Sequence, residues 1–275
     1  MRVYHHFLYT APALIIFPAL AFAANVTAKP SSPPAVSPPA KSELAEGLDK
    51  FSTAHFSDIK SGDFGYAILH GTPWLNARYR YESVDQNGIA ETAYASTLRT
   101  KIGYKTGLWQ GFQVAAEGEN IVALGVDHYN STTNGKTQFP IVSDPEDTLL
   151  NQLYISYQGL PKTNITVGRQ LINLDNQRFV GSVDWRQNDQ TFDAASISSQ
   201  FIDKASLYYA YVSKVNRITG PYATNGAYDS NSHLANASYE FDPALKITAY
   251  GYALDFDDAR SSSSVTYGGR LTGKH

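Results

Sequence analysis

The sequence predicts an all-β fold, a transmembrane antiparallel β-barrel, and three observations carry that prediction. Side chains alternate with period two over ten segments, long and short connections take turns, and charge is sparse where aromatics are dense. Charged residues make up 17% of the chain, below the usual quarter, while Tyr (19) and Phe (13) are abundant. A mean hydropathy of -0.30 is too low for a helical membrane protein. It suits a barrel, in which only every second strand residue meets lipid. A net charge of -3 argues against a nucleic-acid partner. The absence of cysteine removes disulfides, thiol catalysis and Cys-based zinc sites.

The first segment, residues 1–23, reads as a signal peptide. Arg2, His5 and His6 open it, Ala11–Leu20 is apolar, and Ala21-Phe22-Ala23 fits a small-x-small cleavage site. The apolar run is shorter than the roughly 20 residues that a spanning helix needs. A buried helix there would have to hold Pro12 and Pro18. Residues 24–42 form a Pro-rich tether, with prolines at 30, 33, 34, 38 and 39. Residues 43–73 form a short segment in the periplasm or at the barrel end. Within it, 43–56 is a candidate amphipathic helix through Leu44, Leu48 and Phe51.

The barrel is expected over 74–275. Leu75, Ala77, Tyr79 and Tyr81 alternate with Asn76, Arg78, Arg80 and Glu82. Leu98, Thr100, Ile102 and Tyr104 alternate with Thr97, Arg99, Lys101 and Gly103. Phe112, Val114 and Ala116 alternate with Gln113, Ala115 and Glu117, and further strands read at 149–157, 164–170, 191–198, 204–214, 232–241, 244–255 and 264–271. Most approach the roughly 9–11 residues of a tilted spanning strand. Short turns at 106–111, 158–163, 200–203 and 241–244 alternate with long loops at 84–93, 121–148, 171–190, 215–231 and 256–263. That asymmetry, with short periplasmic turns and long external loops, belongs to outer-membrane barrels. Aromatics near strand ends, among them Trp74, Tyr81, Tyr94, Tyr104, Trp109, Tyr157, Tyr239 and Phe241, are candidates for the two girdles. Ten strands fit a closed barrel or the front part of a larger one. The polar ending Thr272-Gly273-Lys274-His275, with no aromatic finish, favours the second.

Facing lipid at mid-depth, Arg or Lys costs about 2–4 kcal/mol. Arg78, Arg80, Arg99 and Lys101 therefore point to a wet lumen. Glu117 and Glu119 lie on the next strand. The six could brace one another as an ion-pair ladder, each pair worth under about 1 kcal/mol, or present a positive track to carboxylates. Between 171 and 190 a long polar excursion carries Phe179, Val180, Val183 and Trp185, so it is expected to fold back and pack inside the mouth.

RYRYE (78–82), LRTKIGYKTGLWQGF (98–112), EGE (117–119), GRQ (168–170) and LDNQRFVGSVDWRQNDQTFDA (174–194) resemble the alginate export family of outer-membrane porins. The resemblance implies a large antiparallel barrel through which small solutes or an anionic polysaccharide diffuse, in a chain longer than this one. It also implies that Arg169, Arg178, Arg186 and Asp193 join a polar constriction. On the residues alone, Asp193 and Arg186 bracing a hairpin beneath Trp185 is an equal reading.

Other signals are weak. Asn134-Gly135-Lys136-Thr137 lacks the first glycine of a phosphate loop. Asp144, Glu146 and Asp147, and likewise Asp255, Asp257 and Asp258, read as solvated loop charge rather than calcium ligands. The least poor catalytic grouping, His128 with Asp127 and Asp144, shows no nucleophile–base spacing. The reading is thus a passive channel for small solutes or anionic saccharides in the bacterial outer membrane, with no enzyme activity, cofactor or metal. Lipid is its surrounding partner, and oligomeric state is left open. The competing reading is an adhesin or structural barrel with a plugged lumen, and a barrel-borne hydrolase ranks last.

Overall fold

The computed structural model describes residue 60, residues 62–242 and residues 245–273. The signal peptide, the Pro-rich tether and the helix expected at 43–56 lie outside the described residues. A short helix, α1 (Phe64–Leu69), precedes ten strands. They are β1 (Thr72–Val84), β2 (Ala93–Lys105), β3 (Phe112–His128), β4 (Asp147–Tyr157) and β5 (Thr163–Gln170), followed by β6 (Thr191–Ser199), β7 (Ala205–Asn216), β8 (Ala227–Asp242), β9 (Leu245–Leu254) and β10 (Ser264–Thr272). All ten form one sheet in sequence order, each antiparallel to the next. Among the described residues β1 and β10 do not pair, so the sheet is open at that seam.

Strand existence follows from the alternation, and the differences lie at the ends. β3 runs on to His128, beyond the apolar stretch that marks it in the sequence. Gly118 and Asn120 occupy outward positions there and hide the period, while Glu119 and Ile121 keep it on the buried side. β8 starts at Ala227, because Ser230 and Ser232 are inward positions of a polar wall. The β2–β3 turn is tight: Gln110 and Gly111 both have positive φ (50° and 86°), and Trp109 and Phe112 exchange two backbone hydrogen bonds of 2.8 Å. Such a primed turn matches the right-handed twist of the flanking strands.

The two faces differ in chemistry. Leu75, Tyr79, Ile102, Leu153, Ile155, Val167, Leu207 and Tyr209 stand exposed on one face. An apolar surface of that extent is unfavourable in water and fits lipid. The other face gathers Ser, Thr, Asn, Gln and the charged groups. A cavity of about 740 Å³ is lined by residues from β2 through β10, so the sheet curls around it. Trp74, placed by the sequence in a girdle, instead turns to this inner face and donates its indole N–H to Glu117. Gly103 opposite it leaves room for the ring, since a Cβ there would overlap Trp74.

Candidate functional site: a strapped lumen

Residues 171–190, between β5 and β6, cross the inner face as a strap. At the start, Gln170 fixes the exit from β5: its Nε2 donates to Ala194 O (3.1 Å) and its Oε1 accepts from Ser196 Oγ (2.8 Å). The first limb is held by apolar packing. Ile172 and Val180 are buried with Phe192, Val212, Leu234 and Tyr252, inward residues of β6–β9. The Phe179 ring meets those of Tyr250 and Tyr252, at 5.9 and 6.2 Å between centroids. Asp175 completes the anchorage, accepting from Tyr252 OH (2.8 Å) and Asn236 Nδ2 (2.9 Å), with Arg270 of β10 at 4.0 Å.

The second limb is held by charge and amides on the opposite wall. Arg78 of β1 donates to Gln187 Oε1 (3.0 Å), to Asp184 O (2.6 Å) and to Arg186 O, while Arg80 donates to Trp185 O. Gln187 is fully buried and donates onward to Thr97 Oγ1 (2.8 Å) and Thr97 O (3.2 Å) of β2. Lys101 pairs with Asp189 of the strap and, at 3.1 Å, with Glu119; Arg99 lies 3.7 Å from Asp189. Arg186 reaches back to Glu82 (3.1 Å) and Asp144 (3.8 Å), and its guanidinium stacks on Trp185 at 4.3 Å.

Asp144, read from the sequence as solvated loop charge, is fully buried. It accepts from the Gln187 backbone N–H at 3.0 Å, and its own carbonyl accepts from Tyr129 OH. Burial pushes its carboxyl above the ordinary range, against the pull of Arg186 and Arg80. A β-bulge supplies the last contact. The β3–β4 register shifts between Glu117 and Gly118, which turns both Asn151 and Gln152 toward Glu117 (2.8 and 3.1 Å).

Arg78, Arg80, Arg99, Lys101, Glu117, Glu119 and Arg186 therefore meet in one network, joined by Glu82, Asp144, Asp189 and Gln187, with Asn151 donating to both Glu117 (2.8 Å) and Asp189 (3.1 Å). Positive and negative groups balance within it, so the four wall cations brace the strap rather than form an uncompensated track. The structure separates three expected members. Arg169 and Asp193 are cross-strand partners with a two-pronged ion pair (2.7 and 3.0 Å). They share the face of Val167 and Ile197, the apolar outer one, near the long-loop end. Arg178 stands exposed at the strap tip over Phe179, away from the network. The hydrolase grouping does not assemble: Asp127 pairs with Lys136 (2.6 Å), and the His128 ring stacks on Phe139. Asp144 faces Arg186 instead.

Below the strap, toward the short-turn end, the 740 Å³ cavity is walled by amides and hydroxyls, including Gln113, Gln152, Asn164, Thr166 and Ser196. Lys105, Lys246 and Arg270 also line it, with Asp175 as its acidic group. This cation set is not legible in the sequence, because the three sit near the ends of separate strands.

An antiparallel wall with an apolar outer skin, a polar inner face and a loop folded inside defines the porin class of fold. Within that class, the chain belongs to the Alginate export family, whose sequence profile matches residues 74–269. No curated protein matches it by sequence. Among solved structures, Acinetobacter baumannii OccAB2 is similar at TM-score 0.56 and 17% identity, over 76% of this chain and 65% of that one. A. baumannii OccAB1 gives 0.53 and 15%, over 72% and 47%. Pseudomonas aeruginosa OccK8 (OprE) gives 0.52 and 19%, over 68% and 47%. The chain thus spans less than two thirds of each of these proteins. Family and fold point to the bacterial outer membrane.

Proposed function

We propose that this chain builds the wall and constriction of an outer-membrane channel through which small solutes diffuse passively, anionic ones, saccharides included, by preference. The observation that carries the reading is the strap, which is anchored to β8–β10 at one end and to β1 and β2 at the other. A loop so fixed narrows the lumen without a moving part. Preference for anions is supported by the cavity beneath it, where three cations, Lys105, Lys246 and Arg270, face the single carboxylate of Asp175, 4.0 Å from Arg270, among amides and hydroxyls. Hydroxyls and amides suit a sugar's hydroxyl groups, and Arg grips a carboxylate with two donors. The ion pairs around Arg186 shape the passage and leave selectivity to the cavity.

Planar-bilayer recording tests this. The reconstituted channel containing this wall should conduct, and its reversal potential in a salt gradient should favour anions. Neutralising the lower cations with Lys246→Gln and Arg270→Gln should move that potential toward cation preference. Absence of conductance would favour a plugged structural barrel. Unchanged selectivity would remove the lower cations from the account.

A further inference from the structure

We infer that α1 and the β2–β3 turn form a foot that seats in the headgroup layer of the bilayer at the short-turn end of the wall. The inference rests on the membrane-wall reading above and adds a surface to it. Tyr104 shares the outward face with Leu98 and Ile102, and its hydroxyl meets the last turn of α1 and the chain just after it. It donates to Ile68 O and accepts from Gly71 N–H at 2.9 Å. Gly107 N–H of the turn donates to Ala67 O at 2.7 Å. The helix is thereby pinned on the outer side of the wall, with Ala67 buried against it.

What α1 leaves uncovered is apolar. Phe64 and Ile68, four residues apart on one helical face, are exposed, as are Leu69 and, in the turn, Leu108. The patch continues into the wall without a break. Phe64 packs edge-on against Trp109 at 5.4 Å, Trp109 is bridged to Phe112, and Phe112 packs on Tyr157 at 4.7 Å. Ile102, 63% exposed, stands directly above on the same face. Greasy side chains mixed with Trp and Tyr at the end of a lipid-facing wall match the interfacial layer. Continuity with that wall identifies the occupant as lipid rather than a periplasmic protein.

The chain has no cysteine, so single spin labels can be placed without background. Labels at Ile68→Cys and Leu108→Cys would be measured in vesicles of phosphatidylethanolamine and phosphatidylglycerol, by relaxation with oxygen and with nickel–EDDA. Ile102→Cys marks the lipid-facing wall and Asp63→Cys an aqueous position. The expected result is oxygen dominance at 68, 108 and 102, with nickel dominance at 63. Nickel dominance at 68 and 108, with 102 still in lipid, overturns the foot alone. Nickel dominance at 102 overturns the wall reading and the foot with it. Two independent labels keep the test open if either substitution fails to fold.

Discussion

Arg78 on the first strand donates through Nε to Oε1 of Gln187 on the strap, 3.0 Å away across 109 positions of sequence. The same amide side chain donates to Thr97 on the second strand, so one residue ties the strap to two staves of the wall. Gln187 has no exposed surface. Replacement by Ala removes the acceptor of the half-buried Arg78 Nε and the donor to the buried Thr97, which costs about 1–3 kcal/mol of strap docking. The prediction for Gln187→Ala is a noisier, larger single-channel current with an unchanged fold by circular dichroism. A current identical to that of the parent would show that the contact does not constrain the strap.

Asp144 makes docking pH-dependent. Its carboxyl is raised above the ordinary value of 3.8 by burial, with Arg186 and Arg80 opposing. A raised acid binds more protons docked than undocked. Docking therefore strengthens as pH falls into the window between the raised and the ordinary value, and weakens as pH rises through it. Protease cleavage within 176–186 should accordingly slow on acidification from neutral pH. Asp144→Asn should flatten that dependence. Faster cleavage at acid pH would contradict the assignment.

Arg169 and Asp193 should be silent in transport. Their ion pair lies on the outer face and is part-exposed, with side chains 30% accessible, so its contribution is under about 1 kcal/mol. Arg169→Ala should leave conductance and reversal potential unchanged, whereas Arg186→Ala should alter the current by loosening Trp185 and Glu82. An equal effect of the two would return Arg169 to the lumen.

Much of this was readable in the sequence. Period two placed Arg78, Arg80, Arg99 and Lys101 inward, because charge cannot share a face with Leu75 or Leu98. The same parity puts Arg169 in step with Ile165 and Val167, and Asp193 in step with Ile197. Placing them in the constriction followed the family resemblance against the alternation, and the alternation prevailed. Near the long-loop end lipid gives way to headgroups, so an outward ion pair is tolerated there. Asp144 was illegible for a different reason. Its burial depends on a strap more than forty residues later, and local polarity cannot announce such a cover. Trp74 misled because an indole suits a girdle as well as an inward hydrogen bond. The paired turn of Asn151 and Gln152 needed the register shift, which no pattern of residue types shows.

Gly168 lies within β5 in a backbone conformation that side chains disfavour. Its φ is +122°, and a Cβ there would collide with the backbone carbonyl of Leu153 on β4. That combination admits only glycine. Gly168→Ala should weaken β4–β5 pairing and lower the yield of heat-modifiable, folded protein on gels. Normal yield and mobility would mean that position 168 accepts a side chain at no cost.

The placement of the strap inside the passage is tested most directly at Asp184, which is exposed beside Trp185 on the second limb. In a chain without native cysteine, Asp184→Cys would be treated with a small negatively charged thiosulfonate during single-channel recording. A stepwise fall in current on modification is expected, with no change in the unsubstituted chain. Complete modification that leaves the current untouched would place residues 171–190 outside the conducting path.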